Sequence, residues 1–120
     1  MAYLRMDFLS QALKKITTMT VVIPNDVPEE ERQGNPYYER GMKTLYLLHG
    51  LTGNDTDWVN GTNIQTLCKQ YNFAAVCPSG DNSFYVDREM TGCQYGTFIG
   101  EELVDYTRKV FGFSDRREDT

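Results

Sequence analysis

The sequence predicts an α/β fold: a mixed sheet with antiparallel strands at the front, followed by parallel strands joined by crossover helices. Three observations predict it. Two β-rich runs lie between Tyr3 and Ile23. Two short apolar runs, Lys43–His49 and Phe73–Cys77, are stopped by Gly50 and Pro78. A stretch with helical periodicity follows each of them, which is the order that right-handed βαβ crossovers require.

The elements follow in chain order. Tyr3 to Leu9 alternates loosely between apolar and polar residues, and Ile16 to Ile23 is rich in Thr, Val and Ile, so both read as strands of an antiparallel pair. Residues 24–42 read as a surface loop, because Pro24 to Gly41 holds three prolines, two glycines and the acidic run Glu29 to Glu31. Tyr37 and Tyr38 in that loop form a candidate partner or oligomer contact. Lys43–His49 is nearly continuously apolar and suits a parallel strand buried on both faces. Ile64, Leu67, Cys68 and Tyr71 recur at helical spacing, so residues 63–71 should form a helix with one inward face. Phe73–Cys77 reads as a second buried strand. From Gly96 to Phe111, Ile99, Leu103, Tyr106 and Val110 share one helical face, opposite most of Glu101, Glu102, Asp105, Arg108 and Lys109.

Composition bounds the function. The 120 residues, 40% hydrophobic and 12% aromatic, fit one globular domain spanning 1–120. Twelve basic against seventeen acidic residues give a net charge of −5, and no stripe of Lys and Arg exists, so nucleic acid is not an expected partner. Arg5, Asp7, Gln11 and Lys14 interrupt the first fifteen residues, so neither a signal peptide nor a membrane span is expected, which points to a cytoplasmic location. Cys68, Cys77 and Cys93 contain no Cys-x-x-Cys and share the chain with a single His. They are expected to be buried free thiols, with no metal and no organic cofactor. Asn54–Thr56 and Asn60–Thr62 match the glycosylation pattern but are expected to be ordinary loop residues.

The chemistry centres on Gly50-Leu51-Thr52-Gly53-Asn54, a flexible turn directly after a strand, at the carboxyl end of the sheet where open α/β folds bind ligands. A strand followed by His-Gly-x-x-Gly is how α/β-hydrolases place one oxyanion-hole amide, here the N–H of Leu51. His49 is expected to orient this turn rather than act as a base, and Asp81 and Asp87 are expected to be solvated turn residues. Taken in order, Leu47 to Gly53, then Trp58, then Pro78 to Tyr85, then Phe98 with Glu101 to Leu103, resemble the putative esterase family that contains tributyrin esterases, esterase D and S-formylglutathione hydrolases. The likeness runs from Lys43 to Ser114, and Gly80 to Tyr85 is its most distinctive stretch.

That resemblance implies the N-terminal part of an α/β-hydrolase sheet. It also implies hydrolysis of short-chain carboxylic esters through a Ser-His-Asp triad, with Gly50, Trp58, Asn82, Ser83 and Tyr85 as substrate contacts and homo-oligomers common. The chain has no Gly-x-Ser-x-Gly, and Ser10, Ser79, Ser83 and Ser114 lack the strand-to-helix turn that a nucleophile needs. The nucleophile, acid and base are therefore expected beyond Thr120, on a missing C-terminal half or a second polypeptide, and the chain alone should be inactive. In the family's strand order, the Thr44–His49 strand lies beside the nucleophile strand. Two alternatives share this fold. One is a thioesterase or an esterase that removes acetyl or feruloyl groups from polysaccharide. The other is a non-catalytic module that binds a ligand, or another chain along an open sheet edge.

Overall fold

The computed structural model describes residues Met1–Thr120. Its frame is a four-stranded sheet in the order β1-β2-β4-β3. Strands β1 (Ala2–Ser10) and β2 (Lys15–Ile23) form a full-length antiparallel hairpin, with Ala2 opposite Ile23 and Ser10 opposite Lys15. The hairpin turn is tied down from a distance: Ser10 Oγ and the amides of Gln11 and Ala12 all donate to the Glu102 carboxylate. Strand β2 runs antiparallel to β4 (Phe73–Pro78), and β4 runs parallel to β3 (Lys43–Tyr46).

Sheet order decides burial. β1 lies at one edge, and its side chains alternate between half-buried and exposed along most of its length, the period-two pattern of a strand with one wet face. β2 and β4 are central and buried almost throughout. β3 is the opposite edge. The expectation of a strand buried on both faces through His49 fails there: regular pairing ends at Tyr46, and Leu45 is 41% exposed. Apolar composition suits burial, but β3 has no neighbour among these residues on the flank where the family's strand order places the nucleophile strand.

Helices close both faces, as the crossover pattern requires. On one face, helix α3 (Ile64–Tyr71) packs Ile64 and Cys68 against Val22 and Ala75. On the other, Met19, Val21, Ala74 and Val76 meet Phe98 and Leu103 in the larger core, with Phe8 and Tyr95 beside them. Those last helical residues belong to a single stretch: α4 (Tyr95–Thr97), a π-helical turn (Phe98–Glu102) and α5 (Leu103–Phe111). It begins one residue earlier than the periodicity indicated. Both long helices end on a left-handed residue, Asn72 (φ 52°) and Gly112 (φ 68°), whose amides bond back to Cys68 and Arg108 carbonyls. Asn and Gly tolerate that backbone, so the sequence supplies the stop.

The 24–42 loop is docked rather than loose. It contains a short helix, α1 (Glu29–Arg32), and a 3₁₀ turn (Pro36–Tyr38). Asn35, Tyr38 and Arg40 donate to the carbonyls of Gln70, Lys69 and Tyr71, satisfying the end of α3. Tyr37 packs edge-on against Tyr71 at 5.0 Å. The two tyrosines thus belong to an internal contact. No helix is long and apolar enough to cross a membrane.

Candidate active site

The turns that follow β3 and β4 meet at the carboxyl ends of these neighbouring parallel strands. Residues Gly50 to Gly53 form a β-turn closed by Gly53 N–H on Gly50 O at 3.0 Å. Only the third residue has positive φ (Thr52, 66°), the signature of a type II turn. Gly or Asn ordinarily takes that place, so a β-branched residue there is strained. A Cβ on Gly53 would sit 2.1 Å from the Asp57 carboxylate, whereas one on Gly50 would meet nothing within 4 Å. Gly50 therefore faces open space.

His49 is buried, and both ring nitrogens are used. Nε2 accepts from the Gly80 amide at 2.9 Å, which leaves the proton on Nδ1 to bond Gly50 O at 2.8 Å. The imidazole orients the turn, as its position at a strand end indicated. Gly50 O thus receives two donors from inside the chain. The trans peptide plane then aims the Leu51 N–H the opposite way, where no acceptor in the chain meets it.

The second turn leans on the first. Thr52 N–H donates to Asn82 Oδ1 at 2.8 Å, and the Tyr85 hydroxyl donates to His49 O at 2.7 Å. The Tyr85 ring covers Gly80, where a Cβ would lie 2.1 Å from its Cε1. Phe84 and Tyr85 are consecutive left-handed residues, at φ 53° and 56°. Behind them, buried Asp55 accepts from Thr20 Oγ1 at 2.8 Å and Ser79 Oγ at 3.2 Å, fastening the loop after the first turn to the middle of β2 and the end of β4.

Between the turns is a cavity of about 170 Å³ lined by His49, Gly50, Leu51, Asp81, Asn82, Phe84 and Tyr85. Of the six residues singled out from sequence, Gly50, Leu51, Asn82 and Tyr85 meet here. Trp58 does not line the cavity; it lies on helix α2 (Asp57–Gly61), and its indole N–H holds Leu48 O at 3.1 Å. Ser83 is buried and turned inward, with Oγ on Gly80 O at 2.6 Å. It borders a second space of about 250 Å³ with Arg88, Cys93 and Tyr95, on the far side of Asp81 and Asn82. Phe84, 70% exposed at the cavity rim, was not singled out beforehand, although it stood within the distinctive segment.

Both aspartates read as solvated turn residues have structural partners. Asp81 is bonded by Lys15 Nζ at 3.0 Å and by the Tyr95 hydroxyl. The Tyr95 hydrogen bond, then Lys15, holds its carboxyl below the usual range, while Asp81 raises Lys15. Asp87 accepts from the backbone and side chain of Thr97 in the first turn of α4, and these bonds lower its pKa. Burial pushes the thiols of Cys68 and Cys77 up to about 12 and about 11, whereas Cys93 is only half-buried. No group of three or more His, Cys, Asp or Glu side chains could hold a metal.

No family model matches the chain. It is 43% identical over 120 residues to an acetyl esterase of Caldicellulosiruptor saccharolyticus, and the match covers all of this chain and 45% of that enzyme. The chain thus spans less than half the length of this curated relative. Among solved structures, FphF, a fluorophosphonate-binding serine hydrolase of Staphylococcus aureus, superposes with a TM-score of 0.79 at 26% identity, over 98% of this chain and 44% of FphF. The S-formylglutathione hydrolase FrmB of Staphylococcus aureus gives 0.77 at 26% identity, over 98% of this chain and 44% of FrmB. Sequence similarity along all 120 residues, the β1-β2-β4-β3 order and the glycine turn after β3 agree: this chain is similar to part of the α/β-hydrolase esterases, and its sheet matches part of theirs.

Proposed function

We propose that this chain supplies half of the catalytic site of a carboxylic ester hydrolase that works through an acyl-enzyme. The nucleophile, acid and base come from residues outside these 120. The observation that carries this reading is the Leu51 N–H, a backbone donor in a pinned turn at the carboxyl end of β3, aimed away from the chain and lacking any acceptor within it. An exposed donor of this kind, fixed before the substrate arrives, can stabilise the charge that develops on the carbonyl oxygen when a serine attacks it. A second amide, beside the nucleophile, would complete the hole.

The cavity at this donor is smaller than the roughly 300 Å³ lower bound usual for ligand pockets, so the remaining wall comes from the other half of the site. Exposed Leu51 and Phe84 at its rim and the small space between the turns suit a short acyl group. The similarity to an acetyl esterase supports the same reading.

Leu51→Pro is the direct test. Leu51 is the second residue of a type II turn, a position where proline fits, so the substitution removes the N–H while keeping the turn. In a chimaera where this chain replaces the matching segment of the Caldicellulosiruptor saccharolyticus acetyl esterase, kcat for a p-nitrophenyl acetate-type ester should fall by about 10²–10³, as for loss of one oxyanion donor. Undiminished turnover by Leu51→Pro would overturn the assignment. A fluorophosphonate probe should leave the 120-residue chain unlabelled and label the chimaera.

A further inference from the structure

We infer that Asn82 and Tyr85 are positioning residues for the oxyanion amide rather than substrate contacts, an inference that rests on the role proposed for Leu51. Three consecutive peptide planes are involved. The middle one, Gly50–Leu51, is held through its carbonyl by Gly53 N–H at 3.0 Å and His49 Nδ1 at 2.8 Å. The plane before it is held through His49 O by the Tyr85 hydroxyl at 2.7 Å. The plane after it is held through Thr52 N–H by Asn82 Oδ1 at 2.8 Å. Each flanking plane is thus fixed by one side chain from the turn after β4.

The need for the Asn82 bond follows from Thr52. A β-branched residue at φ 66° is strained, and flipping the Leu51–Thr52 peptide would convert the type II turn to type I and remove the positive φ. That flip takes Thr52 N–H away from Asn82, so the side chain that accepts this hydrogen also blocks the relaxation. Asn82 Oδ1 is occupied by the task, and so is the single proton of the Tyr85 hydroxyl. The Tyr85 hydroxyl therefore has no proton left for an ester carbonyl, and the bond from Thr52 fixes the Asn82 amide so that only its Nδ2 protons remain to donate. The bonds cross from one strand's turn to the next, so they locate Leu51 N–H relative to the sheet itself.

The experiment uses the same chimaera with Leu51→Pro, Asn82→Ala, Tyr85→Phe, Thr52→Gly and the Thr52→Gly/Asn82→Ala pair. Loss of orientation without loss of the donor should lower kcat roughly tenfold for Asn82→Ala and for Tyr85→Phe. That is less than deletion of the N–H, since about 1 Å of misplacement accounts for up to about 10²-fold. KM should stay within twofold, and acetyl and butyryl esters should lose the same factor. Thr52→Gly removes the strain that drives the flip, so in the pair it should restore most of the kcat lost by Asn82→Ala. Hydrogen exchange should show Thr52 N–H protected in the parent and unprotected in Asn82→Ala.

Parental kcat in both Asn82→Ala and Tyr85→Phe, with Leu51→Pro impaired, would overturn the positioning inference while leaving the oxyanion assignment standing. A raised KM that differs between acyl groups would return Asn82 to the substrate-contact role. Full activity in Leu51→Pro would remove the premise itself. A fall in melting temperature with kcat unchanged would mark either residue as structural only.

Discussion

Gly80→Ala is the perturbation whose size the geometry defines best. Gly80 is buried, and its φ is not positive, so alanine suits the backbone; the conflict is with Tyr85 alone. A Cβ there would lie 2.1, 2.6 and 2.9 Å from Cε1, Cζ and Cδ1 of that ring. The ring cannot yield by a few tenths of an ångström, because its hydroxyl is bonded to His49 O at 2.7 Å. It must swing out. Losing the hydrogen bond costs about 1 kcal/mol, and exposing part of a half-buried aromatic ring adds about 1–2 kcal/mol. The stiffer unfolded chain of alanine offsets about 0.5 kcal/mol. A net loss of about 2 kcal/mol, set against an unfolding entropy of about 0.25 kcal/mol/K for 120 residues, lowers the melting temperature by about 8 °C. Thermal unfolding followed by circular dichroism would measure it, in a cycle with Tyr85→Ala and the double variant. If the clash is the mechanism, Gly80→Ala should cost little once the ring is gone. Equal losses in both backgrounds would refute it.

Two further outcomes follow from the titratable groups. Asp81, lowered by the Tyr95 hydroxyl and by Lys15, contributes stability that is present above the ordinary carboxylate pKa near about 4 and lost as pH falls through its lower folded value. Denaturant midpoints should therefore show Asp81→Asn less stable than the parent at pH 7, with the gap closing toward pH 3; the effect stays small because the carboxylate is 59% exposed. Cys68 and Cys77, buried and pushed up to about 12 and about 11, should resist a maleimide at pH 8, while half-buried Cys93 reacts. Intact mass should show one adduct on the native chain and three after unfolding, and rapid native labelling of Cys68 would contradict the packing of α3.

What was legible in the sequence was what depends on local periodicity. Alternation and β-branched runs located β1 and β2, and Ile64, Cys68 and Leu103 marked the buried sides of α3 and α5 because helical spacing alone places them there. The composition of β3 indicated burial on both faces, because apolar runs do not reveal whether a strand is central or at an edge; its open flank was indicated only by the family's strand order, which puts the nucleophile strand beside it. In the site, the glycine turn and His49 could be read because they sit next to a strand end. The partners of that turn could not. Asn82 lies 30 residues from Thr52, and Tyr85 lies 36 from His49. The family resemblance implies that Trp58 is a pocket residue, but its indole N–H is directed at Leu48 O. Ser83 carried a polar group that could face a ligand, yet Gly80 O claims it.

The distribution of backbone strain separates what the fold needs from what the site needs. Six non-glycine residues have positive φ. Asn72 ends α3, a use its side chain tolerates, and Lys14 closes the β1–β2 hairpin. The other four, Thr52, Asp81, Phe84 and Tyr85, lie in the two turns at the carboxyl ends of β3 and β4. Each costs about 1–2 kcal/mol relative to an unstrained residue, an appreciable part of the roughly 5–15 kcal/mol that holds a domain together. Selection for stability alone would place Gly or Asn at such positions, as it does at Asn72 and Gly112. Instead Thr52 is kept in its turn by Asn82, Asp81 by Lys15 and Tyr95, and Tyr85 by His49 O. Strain concentrated in the turns around one outward-facing amide, and opposed at three of those four residues by dedicated hydrogen bonds, is what a site needs when its geometry must already be set before the substrate binds.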